Sequence, residues 1–162
     1  MQLRAIIRAR GKNILDAGTW KADSKMPKSA FPLSKQRSFQ IRAKYRWRIT
    51  RFSCAGETFR ILIAYRNDLE RYSAYLGREH DGDMAVVSRY EFHPSHGGWH
   101  YHADCAHSSE IVGRTGGLDD RLPAGRSHHR RAQFCHMDDA RALSLAYKAF
   151  GLLPRIDRLE LT

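Results

Sequence analysis

Cysteine is scarce in this chain. Cys54, Cys105 and Cys135 stand at no paired spacing, and an odd, scattered set makes a poor disulfide framework. They read as reduced thiols that pack as small hydrophobes. Long apolar runs are missing too. The longest are short segments such as Ile61 to Ala64, far below the ~20 residues of a membrane-spanning helix. The stretch Met1 to Ala9 carries Arg4 and Arg8 and has no extended apolar centre, so it does not read as a secretory signal. The expectation is a cytoplasmic protein with no membrane association. There is no P-loop, no Gly-rich dinucleotide turn, no Gly-x-Ser-x-Gly and no zinc-finger spacing. Internal repeats and low-complexity runs are absent as well.

What is present is enough for one folded domain. The chain has 162 residues, 42% of them hydrophobic, which supplies a core without disulfides. Positive charge is in excess, with 28 Lys and Arg against 17 Asp and Glu, a net +11. Its distribution is uneven. Residues 1–52 hold 14 basic and 2 acidic side chains, a balance of +12; the remainder holds 14 basic and 15 acidic, a balance of −1. A concentrated basic segment attracts polyphosphate and releases its counterions. Nucleic acid, DNA or RNA, is the expected partner, with Arg42, Lys44, Arg46, Arg48 and Arg60 as the expected contacts.

The hydrophobic periodicity predicts an α+β fold: an antiparallel meander of four or five strands, a short N-terminal helix, and a C-terminal helix packed on the sheet. Residues 1–44 read as a basic helix and arm, 45–107 as the meander, 108–136 as a long loop and 137–153 as the last helix. In the arm, Trp20 and Phe31 read as rings that pin it to the core. Tyr45 to Phe52 alternates, with Tyr45, Trp47 and Ile49 on one face and Arg46, Arg48 and Thr50 on the other. Ala55-Gly56 is a turn signal, and Thr58 to Arg66 is a second strand. If the two pair, Arg60 is expected to join Arg46 and Arg48 in an outer basic patch. Leu69 to Leu76 fits strand and helix equally. Met84 to His93 and Trp99 to Cys105 read as a further hairpin. Asp138 or Asp139 caps the last helix, Gly151 stops it, and Leu143, Ala146, Tyr147 and Phe150 form its apolar stripe.

Nine histidines is a high count, and His93, His96, His100, His102 and His107 fall close together. Placed on the hairpin, Tyr90, Phe92, Trp99 and Tyr101 take one face. Arg89, Glu91, His93, His100, His102 and Asp104 take the other. Three readings stand. His-x-His on a strand points two imidazoles the same way, which suits a divalent metal (zinc, manganese or magnesium) held by His100 and His102, with Asp104, Glu91 or a histidine of the His128-His129 or Cys135-His136 pair completing the set. Alternatively, His100, His102, His93 and Glu91 carry out acid–base chemistry on a phosphodiester, with Arg89 stabilising charge. The third reading makes the histidines structural, in a non-catalytic subunit or inhibitor belonging to a nucleoprotein complex.

The run Gly97-Gly98-Trp99-His100-Tyr101-His102 resembles the metal-binding motif of HUH endonucleases, the rolling-circle initiators and relaxases. The resemblance implies that His100 and His102 hold a divalent metal, and that a helical tyrosine, here Tyr147, attacks the DNA phosphate. Phe150 stands where that family has a lysine, and its first motif has no counterpart here. In size and composition the chain also resembles small ribonuclease toxins of toxin–antitoxin modules. The function expected is nucleic-acid binding, with phosphodiester cleavage at the hairpin as its sharper form.

Overall fold

The computed structural model describes residues 2–34, 41–96, 98–103, 120–123 and 134–152. Strands β1 (Asn13–Asp16), β2 (Arg46–Cys54), β3 (Glu57–Arg66), β4 (Arg71–His80), β5 (Asp83–His93) and β6 (Gly98–Ala103) follow one another as an antiparallel meander. A short β7 (Asp120–Pro123) pairs with β6 and completes a seven-stranded sheet in sequence order. Helices α1 (Leu3–Arg8) and α2 (Asp139–Phe150) stand at its two ends in sequence.

Two hairpins are set by two-residue turns whose residues both have positive φ. Ala55 and Gly56 lie at +49° and +79°, and Asp81 and Gly82 at +46° and +79°. Such turns twist with the strands that flank them. Between β3 and β4 the chain makes a 3-10 turn over Asn67–Leu69, closed by Glu70 in the left-handed region. The stretch that fitted strand and helix equally is therefore strand from Arg71 onward.

The sheet has more strands than the four or five expected. The two additions are its short outermost strands. β1 is four residues long and exposed throughout, so it has no buried face to imprint an alternation. β7 falls inside the segment read as a loop, where Pro123 closes it.

Each face of the sheet is covered. On one face α1 and α2 bury Ile6, Ala142, Ala146, Ala149 and Phe150 against Phe52, Phe59, Ile61, Ile63, Tyr72 and Leu76. The Asp138 side chain accepts a hydrogen bond from Arg141 N at 2.7 Å and caps α2. Gly151, left-handed at φ +69°, ends it. On the other face the arm packs Met26, Phe31 and Leu33 onto Trp47, Leu62, Ala64, Met84 and Val86. Trp47 Nε1 donates to the Ser24 carbonyl at 3.0 Å. Trp20 instead packs on the helix-covered face, edge-on to Tyr65, ring centres 5.6 Å apart. No helix among the described residues is long and apolar enough to cross a membrane.

Candidate metal centre

The pairing of β5 with β6 decides which side chains meet. Arg89 is opposite His102, Tyr90 opposite Tyr101, Glu91 opposite His100 and Phe92 opposite Trp99. Side chains alternate along a strand and paired residues share a face. Tyr90, Phe92, Trp99 and Tyr101 thus stack on the helix-covered face, with Tyr90 and Tyr101 ring centres 4.6 Å apart. Arg89, Glu91, His93, His100 and His102 share the arm-covered face.

There the ligand atoms of Glu91, His100 and His102 all lie within 4.8 Å of one another. Glu91 Oε1 is 3.2 Å from His102 Nε2 and 3.7 Å from His100 Nε2. Glu91 and His100 are buried, at 7% and 2% exposure, and the His102 side chain is 18% exposed. His100 Nδ1 lies 2.9 Å from the Gly98 carbonyl oxygen. A carbonyl only accepts, so Nδ1 carries the proton and the lone pair of the neutral ring sits on Nε2. That is the nitrogen turned toward Glu91. A backbone carbonyl fixing one imidazole nitrogen so that the other faces the ligand set is the usual outer support of a metal-binding histidine.

Around this trio stand further polar groups. Arg89 Nη1 approaches Glu91 Oε1 at 4.0 Å, the outer limit of an ion pair, and Arg89 Nε has no hydrogen-bond acceptor among the described residues. The His93 ring packs edge-on to His100, centres 5.1 Å apart, and its Nδ1 is 3.0 Å from Ser95 Oγ. From β4, Ser73 Oγ reaches Glu91 Oε2 at 3.5 Å. Tyr75 lies opposite Arg89 in the ladder and packs against Phe31 of the arm, ring centres 6.5 Å apart. Burial, and then the Glu91 charge, push its phenol above the ordinary range. The arm's apolar core thus ends where the polar cluster begins.

Ser73 and Tyr75 were not anticipated, because the sequence left their strand undecided. The carboxylate that the register brings beside His100 and His102 is Glu91, and these three groups could hold a metal ion. Asp104, expected in that place, lies outside the described residues, as do Cys105, His107, His128 and His129. His136, exposed, lies near Asn67, with Nε2 3.4 Å from Asn67 Nδ2.

Tyr147 does not reach this site. It stands on α2, on the other side of the sheet, with its hydroxyl 3.3 Å from Thr50 Oγ1. The nucleophile role implied by the HUH resemblance is therefore not open to it.

The expected basic patch does not form. The two-residue turn pairs Cys54 with Glu57, and hence Arg46 with Tyr65 and Arg51 with Arg60. Arg46 and Arg48 share a face with Tyr65 and Ile63, and Arg60 points to the opposite face. Each is also engaged within the chain. Arg46 pairs with Asp139, Arg48 Nε donates to the Ala17 carbonyl at 2.7 Å, and Arg60 Nε donates to Glu79 Oε1 at 2.5 Å. Arg42 and Lys44 are exposed ahead of β2, as are Arg4, Arg8, Arg10 and Lys25.

Compared with protein-family models, curated proteins and solved structures, the chain matches none.

Proposed function

We propose that this protein acts on nucleic acid, and that Glu91, His100 and His102 hold one divalent transition-metal ion at which a phosphodiester is cleaved. The convergence of these three ligand atoms within 4.8 Å carries the reading. Two imidazoles and one carboxylate suit zinc or manganese better than magnesium, which prefers oxygen ligands and retains its waters. A bound ion of this kind supplies Lewis acidity toward a phosphoryl oxygen and lowers the pKa of a bound water.

The remaining roles belong to the chain. The Gly98 carbonyl holds the His100 tautomer, and Ser73 orients the second oxygen of Glu91. Arg89, beside the trio and near both Glu91 and Tyr75, is placed to bind the non-bridging oxygens of a phosphate. His102, the most open of the three ligands, lies on the approach. The exposed cations of the first third provide the long-range attraction for a polyanion.

The test is metal content and cleavage together. Protein dialysed against zinc or manganese should retain one ion per chain and cut labelled RNA or DNA, and chelator should stop the cutting. The double variant His100→Ala/His102→Ala should lose both, with its circular dichroism spectrum unchanged. Metal-free wild type, or cleavage that survives the double substitution, overturns the assignment.

The near-complete burial of Glu91 and His100 favours a second reading. Here the cluster is a structural hydrogen-bonded group in a non-catalytic subunit or inhibitor of a nucleoprotein complex. In that case neutralising Arg42 and Lys44 weakens salt-dependent binding, and no substrate is cut.

A further inference from the structure

A second site lies on the arm-covered face, on strands away from the metal ligands. An open cavity of about 560 Å³ is bounded by the turn Asp16 to Thr19, by Lys21, Pro27 and Ala30 of the arm, by Trp47, Ile49 and Arg51 of β2, and by Arg60 of β3. That volume falls within the range of small-molecule sites. One wall is apolar, formed by Trp47, Ile49, Pro27 and Ala30. The other is cationic, with Lys21, Arg51 and Arg60 set against Asp16 on the lining and Glu79, which pairs with both arginines.

The cationic wall is held in place. Glu79 accepts from Arg51 Nε and Nη2, both at 2.8 Å, and from Arg60 Nε at 2.5 Å. Arg60 Nη1 donates to the carbonyls of Ser29 and Ala30 at 2.9 and 2.7 Å. Lys21 Nζ stands 5.2 Å from the centre of the Trp47 ring. A guanidinium has five N–H donors, so each arginine keeps donors beyond these bonds. The turn is fixed as well. Gly18 N donates to Asp16 Oδ1 at 2.8 Å, and a Cβ at Gly18 would fall 2.0 Å from the Ile49 carbonyl oxygen.

We propose that this cavity binds a nucleoside phosphate, with the phosphate on Lys21 and Arg51 and the base against the apolar wall. Planar, delocalised guanidinium and a mobile ammonium together suit a phosphate. The neighbouring apolar side chains give the organic part of the ligand a place to leave water. The same chemistry is offered by a free mononucleotide and by the 5′-phosphorylated end of a strand. The inference does not rest on the metal centre.

The experiment is calorimetric titration of the whole protein with adenosine monophosphate, inorganic phosphate, and a short single strand with or without a 5′-phosphate. Lys21→Ala removes an exposed side chain and should weaken binding about tenfold, as should Arg51→Ala. Glu79→Gln should tighten binding, because the carboxylate competing for both guanidiniums loses its charge. His102→Ala should leave binding unchanged, which separates this site from the metal centre. Binding by the mononucleotide alone identifies a free nucleotide as the ligand; binding by the phosphorylated strand alone identifies a strand end. Failure of both to bind at millimolar concentration, equal affinity for inorganic phosphate, or affinity untouched by Lys21→Ala would overturn the proposal.

Discussion

Arg46 and Asp139 tie strand β2 to the first turn of α2. Arg46 Nε donates to Asp139 Oδ1 at 2.7 Å, and Nη2 pairs with Oδ2. Tyr65 on β3 adds its hydroxyl, which donates to Asp139 Oδ1 at 2.8 Å. One carboxylate thereby joins two strands to the helix, at the helix end where negative charge is favoured.

This triangle predicts a pH dependence. The Arg46 hydrogen bond holds the Asp139 carboxyl below the usual range, with Tyr65 and the Arg46 charge adding to the effect and partial burial opposing it. The Tyr65 phenol is pushed up to about 12, by burial first and then by Asp139. A carboxyl with a depressed folded-state pKa stabilises the fold above its unfolded value and loses that contribution as pH falls through the folded one. Asp139→Asn should therefore cost about 1 kcal/mol or less near pH 7, since the pair is partly solvated. The difference from wild type should vanish in acid. Urea melts at neutral and acid pH would show this, and a difference that does not change with pH would sink it.

Tyr147 and His102 sit on opposite faces of the sheet, which yields a sharp expectation for the tyrosine. Tyr147→Phe should leave metal content and any cleavage unchanged. It should cost about 1 kcal/mol of stability, the worth of the hydrogen bond to Thr50. Cleavage lost in a folded Tyr147→Phe protein, or a trapped tyrosyl–DNA adduct in wild type, would restore the covalent mechanism.

The parts of this fold that were legible in the sequence are those with a buried face. Alternation along Arg89 to His93 and Trp99 to Ala103 sorts aromatic from polar side chains as observed, but a bulge beside Val87 breaks it earlier in β5, so Met84 and Val86 face the arm and not the side of Tyr90 and Phe92. The basic patch failed on parity. A two-residue turn makes register numbers on the two strands sum to an odd value, so an even residue faces an odd one. Arg60 could not share a face with Arg46, and the Ala55-Gly56 signal already implied this. The arm as the cover of a second face also left a trace. The continuous apolar run Ile61 to Ala64 points both ways from its strand, the pattern of a strand buried on both sides. The short strands β1 and β7 left no such trace. The convergence of Glu91 with His100 and His102 depended on register, which no local pattern fixes.

Two glycines separate conformational strain from steric conflict. Gly56 has φ +79° and open space where a Cβ would stand; Gly18 has φ +67° and the Ile49 carbonyl oxygen 2.0 Å from that position. Gly56→Ala should cost about 1–2 kcal/mol, the ordinary penalty of a left-handed alanine. Gly18→Ala should cost more, above about 3 kcal/mol, because a backbone atom must move as well. Paired thermal melts test the order. Equal losses would mean that the turn before the arm yields without resistance.

Metal should also report through stability. An ion that binds the folded state alone stabilises it by about 2.7 kcal/mol at a hundredfold excess over its Kd. For a chain of this size that corresponds to a Tm rise of about 5–10 °C. The rise should appear with zinc, disappear with chelator, and be absent in His102→Ala, whose ring is the least buried of the three ligands and the least needed for packing. Glu91→Gln should keep the fold but reduce the zinc effect, because a neutral amide replaces the anionic member of the trio while Arg89 stays beside the site. A zinc-dependent rise of equal size in wild type and His102→Ala would place the ion at other histidines and remove the hairpin from the chemistry.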